Sequence, residues 1–109
     1  MRLLQEGIHR VLTRFKRELQ EKTGKSLELY LFGSYARGDF TGASDIDLLL
    51  LVPEDWDSKD QKVAWELITK YALEYNSLFS LLIVKPHQLQ KADIGYIFQK
   101  AIKEGKKID

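Results

Sequence analysis

Between Leu4 and Leu19 the apolar positions Leu4, Ile8, Val11, Leu12, Phe15 and Leu19 recur at three- and four-residue steps, with Arg, Lys, Glu and Gln between them. That spacing predicts an amphipathic helix with one face on a core. Gly24 is a natural stop, after which the period changes to two: Leu27, Leu29 and Leu31 of the stretch Leu27–Phe32 share one face and predict a strand, closed by Gly33-Ser34. Tyr35–Phe40 suits one or two helical turns and Thr41–Ser44 a loop. Asp45–Val52 (DIDLLLLV) is the second predicted strand, ended by Pro53. Asp57 or Ser58 caps the next predicted helix, whose stripe is Ala64, Ile68, Tyr71, Ala72 and Tyr75. Leu78–Val84 is a third strand, Pro86 opens a short helical stretch to about Lys91, and a last helix runs from about Ile94 to Glu104, with Gly105 as its stop. This order predicts an α/β domain of the α+β type, a small mixed sheet flanked by helices.

The chain has 109 residues, the size of one domain, so residues 1–109 are read as a single unit. It has no cysteine, which excludes a disulfide framework, a thiolate metal site and a cysteine nucleophile. The apolar runs Leu48–Val52 and Leu81–Val84 are too short to span a bilayer, and the first ten residues mix charge with apolar positions. A soluble, cytoplasmic protein with no membrane contact is expected. A net charge of +1 argues against a dedicated nucleic-acid binder, yet it hides an uneven distribution: residues 1–25 carry +4, residues 26–84 carry −6 and residues 85–109 carry +3. The basic ends are either solvated helix faces or an attraction for an anionic ligand or acidic partner. A nucleic-acid contact through them would weaken steeply with salt and ignore the acidic middle.

The chemistry lies in Gly33–Asp47, GSYARGDFTGASDID. Asp45 and Asp47 are two apart on a predicted strand and therefore share a face, where two anions repel unless a cation, donors or solvent offset them. Mg²⁺ is held by one or two carboxylates plus substrate phosphate, so this pair is a candidate metal site; the alternative is a solvated strand start. Gly33 and Ser34 sit where a strand feeds a helical turn, and free backbone N–H groups there bind anions. Gly33 has no Cβ to obstruct a phosphate, Ser34 adds a hydroxyl, and Arg37 supplies a fixed positive charge for phosphate or for a salt bridge to Asp39 or Asp45. Cradle and carboxylates together suggest a site for a metal-bound nucleoside triphosphate.

Gly33-Ser34-Tyr35-Ala36-Arg37-Gly38, followed by Ser44-Asp45-Ile46-Asp47-Leu48, resembles the G-S-x-A-R-G…S-D-I-D-L signature of the minimal nucleotidyltransferases. These belong to the DNA polymerase beta-like superfamily, of which kanamycin nucleotidyltransferase is a larger member. The terminal FQKAIKEGKKI is similar to the family's C-terminal "EG" ending. The resemblance implies a polymerase beta palm-like fold and Mg²⁺-dependent transfer of a nucleoside monophosphate, AMP from ATP, to a hydroxyl. In it Gly33, Ser34 and Arg37 hold the triphosphate, and Asp45 and Asp47 are the catalytic metal ligands. It also implies a partner, since members of this size act as antitoxins of HEPN-domain toxins and some transfer AMP to a tyrosine of the toxin; a homodimer or hetero-oligomer is compatible with it. The other reading implied is a binding module of the same fold that neutralises a partner by docking, without turnover.

One feature departs from the family pattern. Active members of the superfamily commonly carry a third carboxylate on the next central strand, although some minimal members have a small polar residue or proline there, and here that strand, Leu78–Val84, has no Asp or Glu. Ser80 is the polar residue nearest that position, a weaker ligand and no base at neutral pH. Glu74, Asp39 and Asp93 are the carboxylates that would have to substitute. His9 and His87 lack metal-spaced partners and are expected at the surface. The five tyrosines are expected to pack, with base stacking as the alternative, and Trp56 and Trp65 likewise, with a partner surface as the alternative for Trp56.

Overall fold

The computed structural model describes residues 5–33, 45–90 and 94–109. Helix α1 (Gln5–Thr23) buries Ile8, Val11, Leu12, Phe15 and Leu19 of the predicted stripe, Leu4 lying outside the described residues, and ends where the Gly24 amide donates to the Gln20 carbonyl at 2.8 Å. Strand β1 (Glu28–Phe32) pairs antiparallel with β2 (Ile46–Leu51), Phe32 opposite Asp47 and Glu28 opposite Leu51. Helix α2 (Ser58–Tyr75) then crosses over to β3 (Phe79–Val84), which runs parallel to β2.

A capping box starts α2: the Asp57 side chain accepts from the Asp60 amide at 2.9 Å, and the Asp60 side chain accepts from the Asp57 amide at 3.1 Å. A 3₁₀ turn (Pro86–Gln90), α3 (Ile94–Glu104) and a short β4 (Lys106–Ile108) complete the described chain. The sheet has four strands in the order β3-β2-β1-β4.

Strand alternation divides the interior into two layers. Leu27, Leu29, Leu31, Ile46, Leu48, Leu50, Leu81 and Ile108 face α1 and α2, where the Phe15 and Tyr71 rings meet edge to face at 5.6 Å. Tyr30, Leu49 and Val84 face the other way and pack with Phe32, Leu51 and, from α3, Phe98, Ala101 and Ile102. The result is a mixed sheet between two helices and one.

Three sequence expectations change. The chain does not finish at the Gly105 stop but adds β4 to β1, with Leu31 opposite Lys106 and Leu29 opposite Ile108. Three residues containing one apolar position are too short for a period to show, although Ile108 is buried. Gly105 allows this return, since a Cβ there would stand 2.6 Å from the Ala101 carbonyl and 2.8 Å from that of Leu31. Trp65, expected to pack, is exposed on α2, whereas Leu67, outside the predicted stripe, is buried. Trp56, by contrast, packs as expected, buried with its indole N–H on Gln61 Oε1 at 3.0 Å, and the alternative of a partner surface falls. No described helix is long and apolar enough to cross a membrane.

Candidate functional site

Where β1 ends and β2 begins, the antiparallel register sets Phe32 opposite Asp47 and leaves Gly33 at the turn out of β1. Gly33 has φ +74°, a left-handed conformation that favours glycine. A Cβ on this residue would overlap Asp47 Oδ2 and lie 3.1 Å from Cγ. The backbone of Gly33 is thus pressed against the carboxylate of Asp47, and the absence of a side chain is what admits that carboxylate. Phosphate approach is one reason for a glycine at position 33, and contact with the Asp47 carboxylate is a second.

Asp45 and Asp47 differ in setting. β2 starts at Ile46, whose amide donates to the Leu78 carbonyl at 2.8 Å, so Asp45 stands just outside the strand and is exposed. Asp47 is inside the strand and half-buried. It belongs to the row that continues as Leu49 and Leu51 on the α3 side of the sheet, opposite to Ile46, Leu48 and Leu50. Asp47 is thus the polar end of an otherwise apolar row.

On the neighbouring strand the residue in register with Asp47 is Ser80. Paired residues of adjacent strands present their side chains to the same face, so Ser80 is the β3 position beside Asp47. Sequence reading could place Ser80 only roughly, because the register between β2 and β3 is set across a crossover and leaves no trace in local periodicity. Among the described residues no three His, Cys, Asp or Glu side chains gather into a metal-sized cluster. Glu74 does not substitute: it lies on α2, on the other side of the sheet, 3.6 Å from the Arg14 guanidinium. Ser34, Arg37, Asp39 and Asp93 lie outside the described residues.

The donor set suits a hard cation. Two carboxylates and a hydroxyl position offer only oxygen, and such sites leave room for water and phosphate oxygens around Mg²⁺. The histidines are not part of it. His9 is exposed on α1, and His87 is exposed with its Nδ1 2.6 Å from Glu54 Oε1, an interaction that holds the Glu54 carboxyl below its usual range. A groove of about 430 Å³ between α1 and α2, lined by Glu18, Lys22, Val63, Glu66, Leu67 and Lys70, is on the opposite face from Asp47 and does not contribute. Tyr30 packs under α3 with its hydroxyl on Glu28, and burial with that hydrogen bond pushes its hydroxyl up to about 12. Tyr71 is buried, its hydroxyl donating to Glu18 at 2.9 Å, so neither ring is open to a base.

Comparison with known proteins identifies the family. The nucleotidyltransferase domain family matches residues 12–107. Two relatives from Methanocaldococcus jannaschii, named "Putative protein adenylyltransferase" MJ0141 and MJ0604, are each 36% identical, over 76 and 81 residues. These matches cover 69% and 74% of this chain and 77% and 75% of the relatives. Among solved structures, a toxin-antitoxin crystallised with AMP-PNP superposes with TM-score 0.60 at 28% identity, over 89% of this chain and 72% of that one. A Shewanella oneidensis complex of tri-AMPylated HEPN toxin with MNT antitoxin also gives 0.60, at 23% identity over 97% and 72%, which supports the fold alone.

Proposed function

The chain belongs to the nucleotidyltransferase domain family, and from that premise we propose that it transfers AMP from ATP, with Mg²⁺, to a hydroxyl on a partner protein of the HEPN toxin kind, acting as its antitoxin. The observation that carries this reading is the juxtaposition of Gly33 and Asp47, with Asp45 at the strand mouth. Family membership and the M. jannaschii names support adenylyl transfer; the toxin-antitoxin neighbours support the partner.

The roles follow from the residues. Asp45, exposed at the mouth, and Asp47, held in the strand, would hold the cation, with the Gly33 turn, Ser34 and Arg37 receiving the triphosphate. A bound divalent cation polarises the α-phosphate and offsets charge on the leaving pyrophosphate. In the reaction the acceptor oxygen bonds to the α-phosphorus, the α–β phosphoanhydride bond breaks, pyrophosphate leaves, and the hydroxyl proton goes to solvent or to a site carboxylate. The strand-held Asp47 keeps one ligand fixed, so little reorganisation is needed as charge develops.

Ser80 favours a second reading, a docking module with little turnover, because the β3 position beside Asp47 bears a hydroxyl rather than a carboxylate. One assay separates the two. ATP labelled at the α-phosphate is incubated with the chain and a HEPN-domain toxin. Label on the toxin with wild type, lost with EDTA and with Asp47→Asn, is the expected result; toxin inhibition that persists in Asp45→Asn/Asp47→Asn with no label transferred would establish docking instead.

A further inference from the structure

The two edges of the sheet are treated differently. β4, at one edge, is three residues long and bears Lys106 and Lys107, both exposed. Short length and lysine are how edge strands are protected from pairing with other chains. β3, at the other edge, is six residues long and reads FSLLIV, with neither charge nor proline. Leu82 on this strand is 41% exposed, and Leu78, which extends the ladder by accepting from Ile46, is 68% exposed.

Its hydrogen-bonding parity can be read from the inner ladder. The carbonyls of Leu78 and Val84 accept from β2-side amides of Ile46 and Val52 at 2.8 and 2.9 Å. Even-numbered residues of β3 therefore turn their backbone groups to β2, and Phe79, Leu81 and Ile83 turn theirs outward. Three outward residues with a central one form a self-complementary set: antiparallel pairing about Leu81 puts Phe79 opposite Ile83 of a second copy and forms about six N–H···O=C hydrogen bonds between the two strands.

We infer that this chain forms a homodimer by antiparallel pairing of β3 with β3 of a second copy, about a twofold axis through Leu81 and perpendicular to the sheet. The same register explains the exposed leucines. On the α3 side it sets Leu78 opposite Val84 of the second copy and Leu82 opposite Ser80, with the two Leu82 side chains on the diagonal, within reach of each other. Nothing charged meets its like, since Lys85 falls opposite Ser77. Repeating the arrangement at β4 would instead bring lysines together. The buried surface, one strand pair with two leucines from each copy, is below the standard size of about 800 Å² per partner, the size class of weak, concentration-dependent association. This inference does not depend on whether the chain transfers nucleotides.

Sedimentation equilibrium on the intact chain tests it, with Leu82→Lys as the edge variant and Leu73→Lys, at an exposed position on α2, as control. Wild type and Leu73→Lys are expected to pass from the 12.7 kDa monomer to twice that mass as concentration rises. Leu82→Lys should raise the dissociation constant by about tenfold or more, through lost burial and like charge on the diagonal. Amide exchange gives an independent readout that needs no variant: the N–H groups of Phe79, Leu81 and Ile83 should gain protection with concentration, while those of Ser80 and Leu82 are protected throughout. A monomer at all concentrations, a dimer indifferent to Leu82→Lys, or no concentration-dependent protection of the three outward amides would overturn it.

Discussion

At Gly33 two demands fall on one position, a φ of +74° and the nearness of the Asp47 carboxylate. Gly24 makes only the first, with φ +70° and open space where a Cβ would stand. The pair therefore separates backbone strain from collision. Gly24→Ala should cost about 1 kcal/mol of stability in urea unfolding and leave ATP binding unchanged. Gly33→Ala should cost at least as much and also weaken ATP binding by about tenfold, because the carboxylate must move; equal ATP affinity in the two variants would remove Gly33 from the site. At Ser80, replacement by Asp should tighten Mn²⁺ binding, measured by titration calorimetry, since a carboxylate beside Asp47 adds charge to the ligand set. Unchanged or weaker binding would show that β3 does not reach the cation. The chemistry of these residues was legible in the sequence through the motif, whereas the register that pairs Asp47 with Ser80 and the contact of Gly33 with Asp47 are cross-strand facts that no local pattern encodes.

Among the elements, α2 shows what local signals specify. Asp57 and Asp60 three residues apart, ahead of an apolar stripe, announce a capped helix, and the structure forms that cap. Asp57→Ala should lower stability by about 1 kcal/mol in urea titration. Asp60 also accepts from Lys25 Nζ at 2.5 Å, and that hydrogen bond, outweighing burial, holds its carboxyl below the usual carboxylate value. A carboxyl with a lowered folded pKa stabilises the fold above its unfolded pKa, and the contribution is lost as pH falls through the folded value. Asp60→Asn should thus be less stable than wild type at neutral pH, with the gap closing as pH falls below about 4, the unfolded carboxyl value. A gap independent of pH would assign Asp60 to capping alone. β4 escaped sequence reading because its pairing with β1 depends on Gly105 and one buried isoleucine, Ile108, with no repeat to betray it.

Across the whole molecule, alternation along β1, β2 and β3 does two jobs. One face of each strand builds the core with α1 and α2; the other packs under α3 and ends in Asp47. The fold class was readable because each helix and the three longer strands carry their own period, and the candidate site was legible as two carboxylates, Asp45 and Asp47, sharing one strand face beside the Gly33-Ser34 turn. What holds the site in place is the β1–β2 register, a property of the sheet rather than of the motif. The central claim is that Asp45 and Asp47 form, with the Gly33 turn, a metal-dependent nucleotide site. Isothermal titration of ATP into the wild type and into Asp45→Asn/Asp47→Asn, each with Mg²⁺ and with EDTA, tests it most directly. Wild type should bind ATP with Mg²⁺ and lose it with EDTA, and the double variant should not bind; ATP affinity that is the same in all four conditions, or absent from all four, would rule the site out.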